Sequence, residues 1–392
     1  MLVKRRLLPH GMSEESQRKA NGVELAEHMT LNESFIENFQ QRYSPHILKI
    51  LLTDRTTGKN IIWADNEYES LGEGYQSDDE ITIEKTHIIK PRVTKESKRQ
   101  NQRTKSHAEV FTPSWLCNQM NNDVDEAWFG NRNIFNTENT DDDGAKSWKS
   151  NPNPIVFPKT KGHRWHAYIE TTRLEITCGE APFICSRYDT VTGRTLPVSE
   201  RIGFLDRKLR IVSEKTKTRK EWVKWALAAL KSSYGFEYQG DNLLIARINV
   251  LETFAEHMFE CWGERATLEE VEQAAWIISW NLWQMDGLTC AVPTSEADAV
   301  VQSVFPECGN LRPDSSQPSF DLFTDIFDEQ NPLGDENSGA STIVPLCVLY
   351  DWRNGESFEF ASLKDGEGIM LSEQSRAEQS RAEQSRAEQS RA

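Results

Sequence analysis

The sequence predicts an α/β fold built on a mostly parallel sheet. Between residues 167 and 350, short apolar runs typical of strands alternate with longer segments whose apolar residues recur at helical spacing. Alternation of this kind favours parallel strands that are joined by helices. In addition, a turn that contains glycine follows directly on one predicted strand, which is a common arrangement in such sheets.

Residues 1–105 are predicted to form a mixed N-terminal extension, with an amphipathic segment over Phe35–Leu52 and a short β-like run over Asn60–Asp65. From residue 106 the composition becomes globular and rich in aromatic residues, so residues 106–302 are predicted to form the core domain. The elements expected in that core are a loop at Thr140–Asn153, a strand at Ala167–Ile176, a hairpin insertion at Tyr188–Val212 with its turn at Asp189–Gly193, a helix at Lys220–Ser233, a strand at Tyr234–Tyr238, and helices from Asp241 to Trp262 and from Thr267 to about Trp280.

The helices of the core carry sequence signals at particular residues. Trp222 and Ala226 belong to a set of apolar residues that recur at helical spacing. Gly263 is placed to end the long helix, because glycine adopts the left-handed conformation that closes many helices. Thr267 and Glu270 form a capping box, which predicts that a new helix begins there.

Three further segments follow the core. Residues 303–342 are crowded with Pro, Ser, Asp and Gly and are predicted to form a flexible loop. Residues 343–370 should contain a late strand over Ile343–Tyr350 and a connection. Residues 371–392 include four copies of Glu-Gln-Ser-Arg-Ala, in which alanine is the only apolar residue, so this tail is predicted to be disordered.

Composition limits the classes of function. The formal charge of −16 argues against a protein that coats nucleic acid without sequence specificity, because phosphate binding needs local Lys and Arg. Two basic stretches, Lys90–Lys105 and Arg207–Lys224, are each as compatible with a solvated face as with a phosphate-contacting one. Seven scattered cysteines without C-x-x-C spacing indicate reduced thiols. With no apolar run that could span a bilayer and no signal-peptide pattern, we expect a cytoplasmic protein without membrane contact.

Three separated stretches are informative together: Ala108–Trp115, Leu174–Phe183, and Gly235 to Glu237 with the helix after it. A strand, a turn of small residues and an acid at the end of the next strand suit a nucleoside, because backbone N–H groups approach the ligand and the acid accepts both ribose hydroxyls. The turn reads C-G-E-A-P rather than G-x-G-x-x-G, and Glu180 stands where phosphate oxygens would be repelled. A cofactor without phosphate, such as S-adenosylmethionine, therefore fits better.

These stretches resemble motifs of bacterial N6-adenine DNA methyltransferases of restriction-modification systems. The similar motifs are F-T-P at Phe111-Thr112-Pro113, acid-x-x-C-G-x-x-x-F at Glu175–Phe183, G-x-E at Gly235–Glu237 followed by A-R-x-N at Ala246–Asn249, and N-x-x-x-x-D-x-L at Asn281–Leu288. The resemblance covers about residues 105–288 and implies a Rossmann-like fold, S-adenosylmethionine as cofactor, double-stranded DNA as the partner of the complete enzyme, and a restriction or specificity protein as a further partner.

The resemblance also implies roles for individual residues. Phe111 would belong to the cofactor site, and Thr112 and Pro113 would line the methionine end of the cofactor. Glu175, Cys178 and Gly179 would form the glycine turn, Glu237 would bind the ribose, and Asp286 would bind the adenine amino group. Asp241 is an alternative for the ribose role. The chain departs from the family pattern at Thr177, at Ala181 in place of a second glycine, and in the Tyr188–Val212 insertion.

The catalytic motif of that family, D/N-P-P-Y/F, is absent from the chain, because Asn151–Pro154 and Asn331–Gly334 match it poorly. The repeat can be encoded by the pentanucleotide GAGCA, whose gain or loss would shift the reading frame. We therefore expect a truncated, phase-variable and inactive form that has no catalytic residues of its own. One alternative is a non-catalytic subunit that binds cofactor or DNA for a partner. A Rossmann-type oxidoreductase is the weaker alternative.

Overall fold

The computed structural model describes residues 35–95, 112–160, 162–295 and 345–363. Phe111, the predicted loop at 303–342 and the repeat at 371–392 lie outside the described residues, as does most of the basic stretch at 90–105. Within the described ranges, no helix is both long enough and apolar enough to cross a membrane.

The N-terminal extension begins with two helices, α1 (Phe35–Arg42) and α2 (Pro45–Leu52). The predicted amphipathic segment is divided because Pro45 occupies the first turn of α2, where its missing N–H costs nothing. The β-like run over Asn60–Asp65 forms only isolated bridges, such as Ile62 to Glu80, and Ala64 within it has a positive φ angle. Short 3₁₀ helices follow at Glu69–Leu71, Ile83–Ile88 and Arg92–Thr94.

The core begins with helix α3 (Ser114–Phe129). The loop predicted at Thr140–Asn153 is confirmed only in part, because a strand occupies its middle. Strands β1 (Asn136–Thr140) and β2 (Lys146–Ser150) pair there as an antiparallel hairpin. Turn residues dominate only its tip, where the Gly144 N–H donates to the Asp141 carbonyl. The strands themselves are polar and mostly exposed, so their sequence carries little of the apolar alternation that predicts strands.

The strand predicted at Ala167–Ile176 is mostly wrong, because helix α4 (Trp165–Glu170) precedes a strand β3 of only three residues (Arg173–Glu175). Tyr168 and Ile169 are buried on the helix and give the segment its apolar character. An apolar run of this length does not distinguish a buried helix from a buried strand.

The hairpin predicted at Tyr188–Val212 is confirmed only in its first part. Tyr188 bridges to Thr195 around the predicted turn, and helix α5 then occupies Phe204–Lys215. Arg207 and Lys208 on α5 are fully buried, so this part of the second basic stretch is neither a solvated face nor a phosphate-contacting one. Helix α6 (Arg219–Lys231) follows as predicted.

A three-stranded parallel sheet forms the centre of the fold, with strand order β3-β4-β5. Strands β4 (Ser233–Glu237) and β5 (Leu282–Gln284) are joined by helices α7 (Gly240–Trp262) and α8 (Leu268–Asn281). The two predicted helix signals are confirmed, because Gly263 closes α7 in the left-handed conformation and Thr267 and Glu270 cap α8 reciprocally. The prediction of an α/β fold with a parallel sheet is therefore confirmed at this level.

Strands β6 (Val348–Asp351) and β7 (Glu356–Glu359) form an antiparallel hairpin. The predicted late strand thus exists, but it does not join the parallel sheet. Instead, the hairpin covers one face of that sheet, where Phe236 and Trp283 share a cluster with Leu349. The helices pack on the other face, in a larger core that also contains residues of α1 and α2.

The outer edge of β3 is open: in the described ranges no other strand pairs with it. Leu174 and Ile176 lie at this edge and are 42% and 65% exposed, respectively.

Candidate functional site

The carboxyl ends of the three parallel strands bring the predicted cofactor residues to one edge of the sheet. Glu175 and Glu237 end β3 and β4, and Asp286 follows β5. Glu175 pairs with Gly235, so the turn after β3 lies level with Glu237. Ligands of open α/β sheets bind at this edge because the loops that follow the strands converge there.

The turn after β3 has an unusual backbone. Thr177, Gly179 and Ala181 all have positive φ angles, of 47°, 52° and 66°. Such angles are costly for Thr and Ala, by about 1–3 kcal/mol each, and they persist only where surrounding contacts impose them. The two positions at which the sequence departs from the family pattern therefore adopt the backbone conformation that glycine would adopt most easily.

Contacts from β4 hold the turn in place. The N–H of Cys178 donates to the carbonyl of Phe236 at 2.8 Å. The N–H of Gly179 donates to Oε2 of Glu237, also at 2.8 Å. Because the glycine amide already donates to a carboxylate, this turn would repel phosphate instead of binding it.

Glu175, the last residue of β3, is hydrogen-bonded to the segment that follows the same turn. Its two carboxyl oxygens accept from the N–H groups of Phe183 and Ile184, at 3.2 and 3.0 Å. Burial raises the pKa of Glu175 to about 8, although these two hydrogen bonds oppose the shift. Cys178 is also buried, and burial raises the pKa of its thiol well above the ordinary value, so it is a neutral packing residue against Gly235.

Glu180 does not occupy the position that the sequence suggested. Its carboxyl group is buried and accepts from the N–H of Arg92 at 2.6 Å and from the hydroxyl of Tyr188 at 2.7 Å. The side chain therefore anchors the turn internally rather than facing a ligand. Exclusion of phosphate is better assigned to Glu237, which accepts the Gly179 amide itself.

Thr112 and Pro113 immediately precede α3, with Pro113 at its N-cap. The carbonyl of Thr112 accepts from the Thr190 hydroxyl at 3.0 Å, and the N–H of Ser114 donates to Asp189 at 2.8 Å. The insertion hairpin therefore contacts the segment that the sequence assigned to the methionine end of the cofactor.

The two remaining acids differ in their surroundings. Asp286 is 9% exposed, and its oxygens accept from the N–H of Leu288 at 2.8 Å and the hydroxyl of Thr289 at 3.1 Å. Asp241 is buried and accepts from the ammonium of Lys95 at 3.0 Å and the hydroxyl of Tyr68 at 2.9 Å. Of the two ribose candidates, Glu237 contacts the glycine turn, whereas Asp241 contacts the N-terminal extension.

The N-terminal extension also reaches this edge, which the sequence did not predict. The amide of Gln284 donates to the Ile62 carbonyl at 2.9 Å, and the N–H of Gly240 donates to the Trp63 carbonyl at 3.2 Å. Gln239 donates to Asp65 at 3.2 Å. The only signal for this segment was its apolar run, because a contact between residues 174 or more positions apart leaves no local pattern.

No set of His, Cys, Asp and Glu side chains within the described ranges is arranged to hold a metal ion. Compared with protein-family models, curated proteins and solved structures, the chain matches none.

Proposed function

We propose that this chain is the cofactor-binding part of an S-adenosylmethionine-dependent DNA adenine N6-methyltransferase of a restriction-modification system. The observation that carries the proposal is the contact between Glu237 and the amide of Gly179 at the carboxyl ends of adjacent parallel strands. It combines an acid suited to ribose hydroxyls with a turn unsuited to phosphate.

The strand order supports a Rossmann-like arrangement. The order β5-β4-β3 corresponds to the 3-2-1 half of a doubly wound sheet, in which each connection contains helices. In such a sheet the ligand lies where the strand order reverses, and in this chain that place would be beside the outer edge of β3. That edge is adjacent to the strained turn at Thr177–Ala181.

Charge favours the same cofactor. S-adenosylmethionine carries a positive sulfonium and no phosphate, so acids at the strand ends would attract it while repelling a dinucleotide. Glu237 would accept the ribose hydroxyls and Asp286 the adenine amino group, with Thr112 and Pro113 at the methionine end. When bound, the cofactor supplies the methyl group for transfer to adenine, and the protein supplies orientation.

The chain alone should not methylate DNA. Its 392 residues contain no D/N-P-P-Y/F motif, which in this family accepts the adenine amino hydrogens and stacks on the flipped base. The pentanucleotide GAGCA can encode the repeat, so a change in its copy number would shift the reading frame. Sequencing the locus in many single colonies tests this, because an invariant repeat with no such motif in any downstream frame would argue against it.

A second candidate is a binding subunit that holds cofactor or DNA for a catalytic partner, and the same missing motif favours it. Methylation that appears only after mixing with a co-purified protein would support this candidate. An oxidoreductase is the least favoured, because the Gly179 amide is already occupied by Glu237.

Isothermal titration calorimetry with S-adenosylmethionine and with NAD tests the cofactor assignment. We expect binding of the first and not of the second. Glu237→Gln should weaken S-adenosylmethionine about ten- to a hundredfold, since it removes a charged acceptor. Asp241→Asn is the matched variant: a larger loss there than in Glu237→Gln would transfer the ribose role to Asp241, and tight NAD binding would overturn the proposal.

A further inference from the structure

Two turns of the chain share the sequence Asp-x-x-Thr-Gly-Lys/Arg, at 54–59 and at 189–194. In both, the aspartate N–H and carbonyl are hydrogen-bonded across the turn: Asp54 to Lys59 and Gly58, and Asp189 to Arg194 and Gly193, all within 2.8–3.0 Å. In both, one aspartate oxygen accepts the N–H and hydroxyl of the threonine. The two turns are therefore built in the same way.

They differ in the use of the second carboxylate oxygen. That of Asp54 is 3.4 Å from the N–H of Thr56, within its own turn. That of Asp189 accepts from the N–H of Ser114 at 2.8 Å, far away in sequence. The neighbouring Thr190 hydroxyl donates to the Thr112 carbonyl at 3.0 Å. The peptide groups on both sides of Pro113 are thus held by the hairpin.

Tyr188, the residue before Asp189 in the hairpin, is hydrogen-bonded to the glycine turn. The Tyr188 hydroxyl donates to Glu180 at 2.7 Å, and the amide of Asn249 donates at 3.0 Å to both the Glu180 carbonyl and the Tyr188 oxygen. Residues 188–190 therefore connect the turn after β3 directly with the segment before α3. Two parts of the candidate site that are distant in sequence are fixed to one short element.

Asp189 keeps its charge in this position. Burial alone would raise its pKa, but the N–H groups of Ser114 and Thr192 hold the pKa of Asp189 below its ordinary value. An ionised carboxylate forms stronger hydrogen bonds to backbone N–H groups than a neutral one.

We propose that the hairpin at 188–195 is a positioning element that fixes Thr112–Ser114 relative to the glycine turn, with Asp189 as the positioning residue for the methionine end of the cofactor. The inference rests on the proposed function, because it assigns Thr112 and Pro113 to that end. This hairpin begins the Tyr188–Val212 insertion, so the proposal gives the insertion a positioning role in the cofactor site.

The test compares Asp189→Asn with Asp54→Asn, which makes the same change in the matching turn, where both carboxylate oxygens accept within the turn itself. Affinities are measured by calorimetry for S-adenosylmethionine and for adenosine, which lacks the methionine end. Asn has one acceptor oxygen where Asp189 uses two, so we expect S-adenosylmethionine to bind about tenfold more weakly. Adenosine affinity should change less than about twofold, and Asp54→Asn should change neither affinity.

Thr190→Val and Thr190→Ser provide a second pair that leaves the charge in place. The valine variant removes the hydroxyl that donates to Thr112, and the serine variant retains it, so only valine should weaken S-adenosylmethionine selectively. Equal losses for both ligands in Asp189→Asn and Thr190→Val would reduce the hairpin to a general structural role and overturn the inference. Unchanged affinities in both would do the same. A wild-type chain that binds adenosine but no S-adenosylmethionine would instead overturn the proposed function.

Discussion

Replacing Glu175 by glutamine should abolish a pH-dependent loss of stability. The carboxyl group is buried at the end of β3, and its pKa is raised to about 8 from an ordinary 4.5, first by burial and then by the nearby Glu237. Between these two values the folded chain keeps a proton that the unfolded chain releases. The free energy of unfolding must therefore fall as the pH rises through this window.

The magnitude follows from the size of the shift. Each pH unit inside the window changes the free energy of unfolding by up to about 1.4 kcal/mol, so the loss between pH 5 and pH 7 amounts to about 2–3 kcal/mol. Glutamine has nearly the same shape and does not titrate. Glu175→Gln should therefore be less stable than wild type near pH 5 and comparable to it near pH 7.5.

Urea unfolding of wild type and variant at several pH values measures the difference between their free energies of unfolding. Groups that titrate equally in both proteins cancel in this difference. Glu260→Gln, on the exposed face of α7, is the control for the loss of one carboxylate. The opposite result is also informative. If Glu175→Gln costs more at pH 7.5 than at pH 5, the N–H groups of Phe183 and Ile184 outweigh burial, and the reasoning from burial is refuted.

Two further substitutions test how the sheet is positioned. Gly235→Ala would place a Cβ 3.0 Å from Ile184 and 3.3 Å from Cys178, so we expect a loss of about 1–3 kcal/mol and weaker cofactor binding; an unchanged thermal midpoint would contradict this. Lys208→Met should cost about 2–4 kcal/mol in urea unfolding, because the buried amino group donates at 2.7 Å to the Ser232 hydroxyl and at 3.1 Å to the Ser232 carbonyl. A loss below about 1 kcal/mol would show that these acceptors find other donors.

The sequence was most informative where a local signal coincided with tertiary packing. Strand β4 and helices α6, α7 and α8 were predicted nearly to their ends, because Gly263 and the Thr267 capping box mark boundaries that do not depend on distant contacts. The strand predicted at Ala167–Ile176 was mostly wrong, and the loop predicted at Thr140–Asn153 missed the strand β2. In the first segment, a short run of buried apolar residues does not distinguish a helix from a strand. In the second, the strands are polar and mostly exposed, so they lack the apolar alternation that predicts strands.

The candidate site was predictable in its parts but not in its connections. Glu175, Gly179 and Glu237 could be placed at one sheet edge from strand–turn patterns alone. The hydrogen-bond partner of each side chain could not be predicted. Glu180 is bonded to Tyr188, and Asp189 of the insertion is bonded to the distant Ser114. Contacts of this kind are set by packing and not by spacing along the chain.

The brevity of β3 has a consequence for the protein in solution. An open edge flanked by Leu174 and Ile176 invites a second copy to add its own strand, which is how many sheets begin to polymerise. A three-residue strand offers only a few main-chain hydrogen bonds to the strand of a second copy. Any self-association through this edge, as it stands in the described part of the chain, should therefore be weak and short-lived.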